Sequence, residues 1–296
     1  MHKYLETCCV AGIRLDTDPV RHVRLFPVPH RLLDEEKQFG KYSVVEVDVR
    51  RHHADRRPES LRPNLDTLRV VDTVCSRDGW AERVDIARPL IQPSLCAIKR
   101  LQAADGTSLG LFRPAHIDSF RLTDASPRTS EQHGIVNQTD VLHPDHRPLE
   151  WVPYEFRYRF HCHDDSCRGH DMGLHDWEAG QSWRKFRRTY PAHRLADVLR
   201  ERWWTRMVTP DRATHFFVGN IAARPRTSSS AACSFCSLTV PTVRSGLRAM
   251  SALASPPAGR VSTCRSRSVS SSTCRAAPGA AHARSGAARL ISRRWR

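Results

Sequence analysis

Tyr154-Glu155-Phe156-Arg157-Tyr158-Arg159-Phe160-His161-Cys162-His163-Asp164-Asp165-Ser166-Cys167-Arg168-Gly169-His170 decides how the second half of this chain is read. Phe156, Tyr158 and Phe160 alternate with Glu155, Arg157 and Arg159, and a period of two predicts a half-buried strand. The polar run from His161 to Gly169 breaks that period and predicts a turn. Met172–His175 follows as a second strand. A helix is expected from Asp176 to about Arg188. Another, about Leu195–Met207, carries Leu195, Val198, Leu199, Trp203 and Met207 at helical spacing. Thr214–Val218 reads as a strand. The order is strand, Cys/His turn, strand, helix, helix, strand.

Toward the N-terminus, strands dominate. Cys8–Leu15 and Val20–Val28 flank the turn sequence Asp16-Thr17-Asp18-Pro19 and predict a hairpin. In Tyr42–Arg50, Val45, Val47 and Val49 lie opposite Glu46, Asp48 and Arg50, another half-buried strand. Arg51–Pro63 reads as a charged loop, and Leu68–Val74 as a strand. Ser94 suits the N-cap of a short helix carrying Leu95, Ile98 and Leu101 on one side, stopped near Gly106. Leu109–Arg113 and Ile117–Thr123 read as strands. The fold class is α+β, with mostly antiparallel strands in the N-terminal half. The expected divisions are a β-rich domain over 1–123, a polar linker over 124–146, an α+β region over 147–226 and a tail over 227–296.

The tail differs from the rest. Residues 227–296 hold 11 Arg, 16 Ser and four Cys, and no Asp, Glu, Lys, Asn, Gln or Tyr. The net charge of +16 divides into +11 there and +5 on residues 1–226. Two origins fit this composition. One is an Arg/Ser-rich low-complexity tail that grips phosphates. The other is GC-rich coding DNA read in a shifted frame, because the common codons of Ser228–Ser234 give an apolar strand in another frame. We read the tail as disordered and as the product of a shifted frame, so Cys233-x-x-Cys236 is an accident and most of the basic character is not evidence for a partner.

Residues 1–226 are enough to bury a core. No apolar run approaches the roughly 18 residues of a membrane span, and Met1–Glu6 lacks a secretory apolar stretch. No membrane partner is expected. Six cysteines in 226 residues do not make a disulfide scaffold, so the expected compartment is the reducing cytoplasm.

The chemistry concentrates in the turn. Cys162-x4-Cys167-x2-His170 places two thiolates and an imidazole at a spacing that can close around tetrahedral Zn²⁺; the competing reading is a polar turn with two small buried thiols. The fourth ligand is open: His175, His163, His161 or a distant residue. Asp176 and Glu178, opening the next helix, suit an N-cap and the helix dipole. A sharper reading groups them with Asp164, Asp165 or Asp171 around Mg²⁺ as the catalytic acids of a nuclease. Arg184, Arg187, Arg188, Trp204 and Arg206 interleave bases with aromatics as nucleic-acid-binding surfaces do. The competing reading is an amphipathic helix pair with Trp183, Phe186, Tyr190 and Trp203 in the core and Arg on the solvated face. No phosphate-cradling glycine loop, nucleophile elbow or dinucleotide fingerprint is present, and no small-molecule substrate suggests itself.

Several further pieces recur together: Val23-Arg24-Leu25-Phe26-Pro27-Val28-Pro29, Gln38-Phe39-Gly40-Lys41-Tyr42, Arg57-Pro58-Glu59-Ser60 and Ser108-Leu109-Gly110-Leu111-Phe112-Arg113-Pro114. With Cys167-Arg168-Gly169-His170, Asp176-Trp177-Glu178 and Phe216-Phe217-Val218-Gly219-Asn220 they resemble a bacterial protein family of unknown function over most of residues 5–226. The resemblance names no reaction. It implies an apolar strand before Lys3–Ile13 and another after Thr227, so the chain is read as clipped at one end and shifted at the other. The expected function is a nucleic-acid-associated protein with a zinc-stabilised turn. The alternatives are a metal-dependent nuclease and a non-catalytic protein-interaction domain.

Overall fold

The expected hairpin at Asp16–Pro19 opens the chain in the computed structural model, which describes residues 7–51, 54–127, 149–210, 212–220, 233–241 and 287–295. β1 (Cys8–Arg14) and β2 (Arg21–Val28) pair antiparallel. β3 (Ser43–Arg51), β4 (Ser60–Pro63) and β5 (Arg69–Thr73) complete the order β1-β2-β4-β3-β5. The alternation read from the sequence sorts the side chains: Val10, Val23, Leu25, Val45 and Val47 face inward and pack with Leu68. β4 lies inside the stretch read as a charged loop. Its first residue, Ser60, is buried, and its last is Pro63.

α1 (Arg77–Ala87), which periodicity did not reveal, leads to β6 (Ile91–Gln92) and α2 (Leu95–Asp105). α2 forms as its caps require. The Ser94 hydroxyl accepts the Ala97 N–H at 2.9 Å, and Gly106 closes the helix in the left-handed region, at φ 79°. β7 (Leu109–Phe112), β8 (His116–Asp124), β9 (Tyr154–His161) and β10 (His170–Leu174) follow, then α3 (Trp177–Thr189) and α4 (Leu195–Arg200). α4 runs into a π-helical turn over Glu201–Thr205. β11 (Arg212–Asn220), β12 (Cys233–Pro241) and β13 (Ala287–Trp295) are the last strands.

The second sheet has the order β6-β7-β11-β12-β10-β9-β8. One face carries Phe112, Phe120, Phe156, Tyr158, Phe160 and Phe216, covered by residues of α2, α3 and α4 in the main core. β6, β7 and β8 therefore belong with β9 to β12. The change of sheet falls near residue 90, ahead of the 124–146 stretch read as a linker, of which residues 128–146 lie outside those described. The fold is α+β with mostly antiparallel pairing.

Within the stretch read as a disordered tail, two segments take strand positions. β12 pairs with the whole of β11, and β13 pairs with both β1 and β3, closing β1, β2, β4, β3 and β13 into a ring. Ladder hydrogen bonds use only backbone groups, so an open strand edge accepts a segment of unpromising composition. The remaining residues of the tail, including Cys264 and Cys274, lie outside those described. No helix among the described residues is long and apolar enough to cross a membrane.

Candidate metal centre

β9 ends where its alternation ends. Cys162, next in the inward series after Phe160, is buried at the rim of the main core. The chain then turns on Asp164. Its carboxylate accepts the Ser166 N–H at 3.2 Å and the Ser166 hydroxyl at 2.5 Å, and its carbonyl accepts the Cys167 N–H at 2.8 Å. Arg100 of α2 donates to the same carboxylate at 2.8 Å, tying the helix to the turn. Gly169 has φ +86°, in the left-handed region that favours glycine. The turn returns the chain to β10 with His170 as its first residue.

This geometry gathers Cys162, Cys167 and His170, and α2 contributes a fourth donor, Cys96, from its first turn. The ligand atoms of Cys96, Cys162, Cys167 and His170 all lie within 4.8 Å of one another. His170 Nε2 is 3.4 Å from Sγ of both Cys96 and Cys167. This group could hold a metal ion, and among the described residues no other set of three or more Cys, His, Asp or Glu converges in this way. His175, expected as a ligand, is not part of it. His175 follows the last residue of β10, five residues from His170, or roughly 16 Å of extended chain. His161 is engaged elsewhere, its Nδ1 3.0 Å from Asp118.

The local electrostatics prepare the ligands. Burial pushes the Cys162 thiol up, to about 12, against the backbone N–H groups of Leu95 and Cys96, which favour the thiolate. Burial raises Cys96 as well, and the neighbouring Cys167 adds to it. Cys167 goes the other way: burial opposes its ionisation, but the N–H groups of Cys162 and Gly169 outweigh it and pull the thiol below its ordinary value. Such N–H to sulfur bonds orient thiolate ligands, and a bound cation supplies the charge that ionises the rest. Burial, with Lys99 and His161 nearby, lowers His170 to about 4. At neutral pH its ring is the neutral imidazole that binds metal.

The acidic residues have other partners. Asp176 caps α3, accepting the Glu178 N–H at 2.8 Å, and Lys41 donates to both of its carboxylate oxygens, at 2.8 and 2.9 Å. The same ammonium lies 3.0 Å from Glu178. A lysine thus stands where the nuclease reading needs a divalent cation. Asp171 bonds to Arg157 at 2.9 Å and to Arg121, and Asp164 holds Arg100.

The basic helix face is largely engaged within the molecule. Arg184 donates to the Glu150 carbonyl at 2.7 Å, Arg187 pairs with the Glu150 carboxylate, and Arg206 with Glu201 at 3.1 Å. Arg188 is exposed. Trp183 and Trp203 are buried and Phe186 packs against the main core, as the amphipathic-pair reading expects, while Tyr190 is exposed; Trp204, expected to meet nucleic acid, packs against the main core as well.

Sequence reasoning missed Cys96. The available signal was a lone cysteine in the first turn of a helix with a clear N-cap, where backbone N–H groups and the helix dipole favour a thiolate. Nothing local separates it from Cys75, the other isolated cysteine of residues 1–226.

Residues 1–89 match a domain of unknown function, DUF8758, and residues 91–245 match a second, DUF8757. The second match spans just over half of the chain, and the chain belongs to that family. No curated protein and no solved structure matches it.

Proposed function

We propose that this member of the DUF8757 family carries a structural Zn²⁺ held by Cys96, Cys162, Cys167 and His170. The observation that carries the reading is the convergence of three sulfurs and one imidazole nitrogen from α2, the β9–β10 turn and β10 within 4.8 Å. Soft thiolates with one imidazole are the donor set of tetrahedral structural zinc. Four protein donors leave no position for water, so the ion staples α2 to the β9–β10 turn and activates no nucleophile. Ligand thiols must stay reduced, which accords with a cytoplasmic setting. Metal analysis of the purified chain tests the reading. One zinc per chain is expected, lost in Cys96→Ser and in Cys162→Ser and kept in His175→Ala. A chain without zinc, or Cys96→Ser with full zinc, overturns it.

A second reading is association with nucleic acid through Arg184, Arg187, Arg188, Trp204 and Arg206. Its support is the exposed Arg188 in the last turn of α3, beside a net charge of +5 on residues 1–226. Binding to a DNA or RNA oligonucleotide should fall steeply with salt and weaken in Arg188→Ala. Absent or salt-insensitive binding removes this reading and leaves a zinc-stapled interaction domain.

A further inference from the structure

The two family matches divide at residues 89–91, between the two sheets, yet a buried polar network joins the parts. Arg24 of β2 is only 4% exposed. Its Nη2 donates to the Ser108 carbonyl at 3.0 Å and to the Ser108 hydroxyl at 3.2 Å. That hydroxyl donates onward to Glu59 at 2.6 Å. The other Glu59 oxygen accepts the N–H groups of Ser108 and Leu109, at 2.9 and 3.3 Å. A buried guanidinium needs a counter-charge, and Glu59 supplies it through Ser108. Beside it Arg57, gripped by Asp55 at 2.6 Å, donates to the Asn220 carbonyl at 3.0 Å. Gly219 makes room, because a Cβ there would stand 3.2 Å from Nη2 of Arg24.

The Arg24–Ser108, Glu59–Ser108, Glu59–Leu109 and Arg57–Asn220 bonds each join a residue of the first match to one of the second. Apolar packing crosses the same line: Ala11 and Ile13 of β1 share a core cluster with Leu109, Leu111 and Phe217. Lys41 crosses it again at Asp176. Four of the sequence pieces singled out above, those around Arg24, Glu59, Ser108 and Asn220, meet at this one place.

We infer that β2 and the Asp55–Ser60 turn form an interaction surface whose fitted partner is the β7–β11 face of the DUF8757 domain. The DUF8758 domain is thereby an obligate companion, and the two parts open as one unit. The inference does not depend on the metal. Amide hydrogen exchange on the full chain, at constant zinc, tests it. In the wild type, peptides of β1–β3 and peptides of β7 and β11 should report the same opening equilibrium. Glu59→Ala, which leaves Arg24 buried without its counter-charge, should lower protection in both sets by roughly 10²–10³-fold. Glu59→Gln keeps an acceptor for Ser108 and should lower both sets less; it carries the test if the alanine variant does not fold. Two separate opening equilibria in the wild type overturn the inference. So does a Glu59 variant that loses protection in β1–β3 while β7 and β11 keep theirs.

Discussion

Cys162, Cys167 and His170 and the Asp176–Glu178 pair arise from one short stretch of chain, and both sets looked like metal ligands in the sequence. They differ in what already faces them. Around the first, four donor atoms lie within 4.8 Å of one another. In the second, a side chain 1% exposed is bonded to Lys41, itself 15% exposed, so the cation is part of the protein. Residue type and spacing are satisfied in both places, and the charge brought in from a distant element separates a group that could hold a metal ion from a helix cap. Carboxylates at a helix start have a structural use of their own, capping and dipole compensation.

The largest expected effect is metal removal. Structural zinc in small sites contributes on the order of 10 kcal/mol to folding. Stripping the ion should therefore destabilise the β9–β10 turn and the α2 start far more than any surface change. Thermal unfolding monitored with and without a strong chelator checks this, and an unchanged midpoint would place the centre with ordinary buried thiols.

Lys41→Met comes next. It leaves Asp176 buried with its capping bond but without its counter-charge, at a cost of roughly 3–5 kcal/mol, measurable by denaturant titration. The same variant can break the comparison. If Mg²⁺ or Mn²⁺ restores its stability, the acidic pair is a cation site occupied by a lysine, and the contrast with the cysteine centre narrows.

The smallest effect is titration in the first sheet. His22 packs on Phe217, with ring centroids 5.1 Å apart, and both of its nitrogens are buried without a partner. Burial lowers it to about 4 from its ordinary 6.5. The unfolded chain takes up a proton below about 6.5 and the folded chain only near 4, so stability falls as pH drops through that window, by at most about 3 kcal/mol. His22→Phe should flatten this limb while leaving acid release of the metal unchanged. That separates His22 titration from protonation of the cysteine centre, and an identical acid profile in the variant would remove His22 from the account.

Much of the fold was legible locally. The strands at β1 to β3 and β7 to β9, the caps of α2 and α3, and three of the four cysteine-centre ligands follow from alternation, capping chemistry and turn residues that act within a few positions. α1 and β4 were not legible. The helix has no strong apolar stripe, and the strand is four residues ending on Pro63, whose pairing with β2 and β3 comes from elsewhere in the chain. The aromatic and arginine run of α3 and the π-helical turn was legible as a pattern but not as a role. Trp203 faces the core and Arg187 finds Glu150 only once the helices pack.

The sequence by itself determined the α+β class, the alternating strands and the Cys162–His170 turn, because each depends on neighbours a few residues apart and on rules of backbone geometry. Tertiary structure decided that Cys96 and not His175 joins the centre, across 74 residues from His170. It also decided that Lys41 holds Asp176 and that Arg24 finds its counter-charge in Glu59 through Ser108. Those pairings depend on which surfaces the two cores bring together, and a charge or a ligand is defined by what it meets in space.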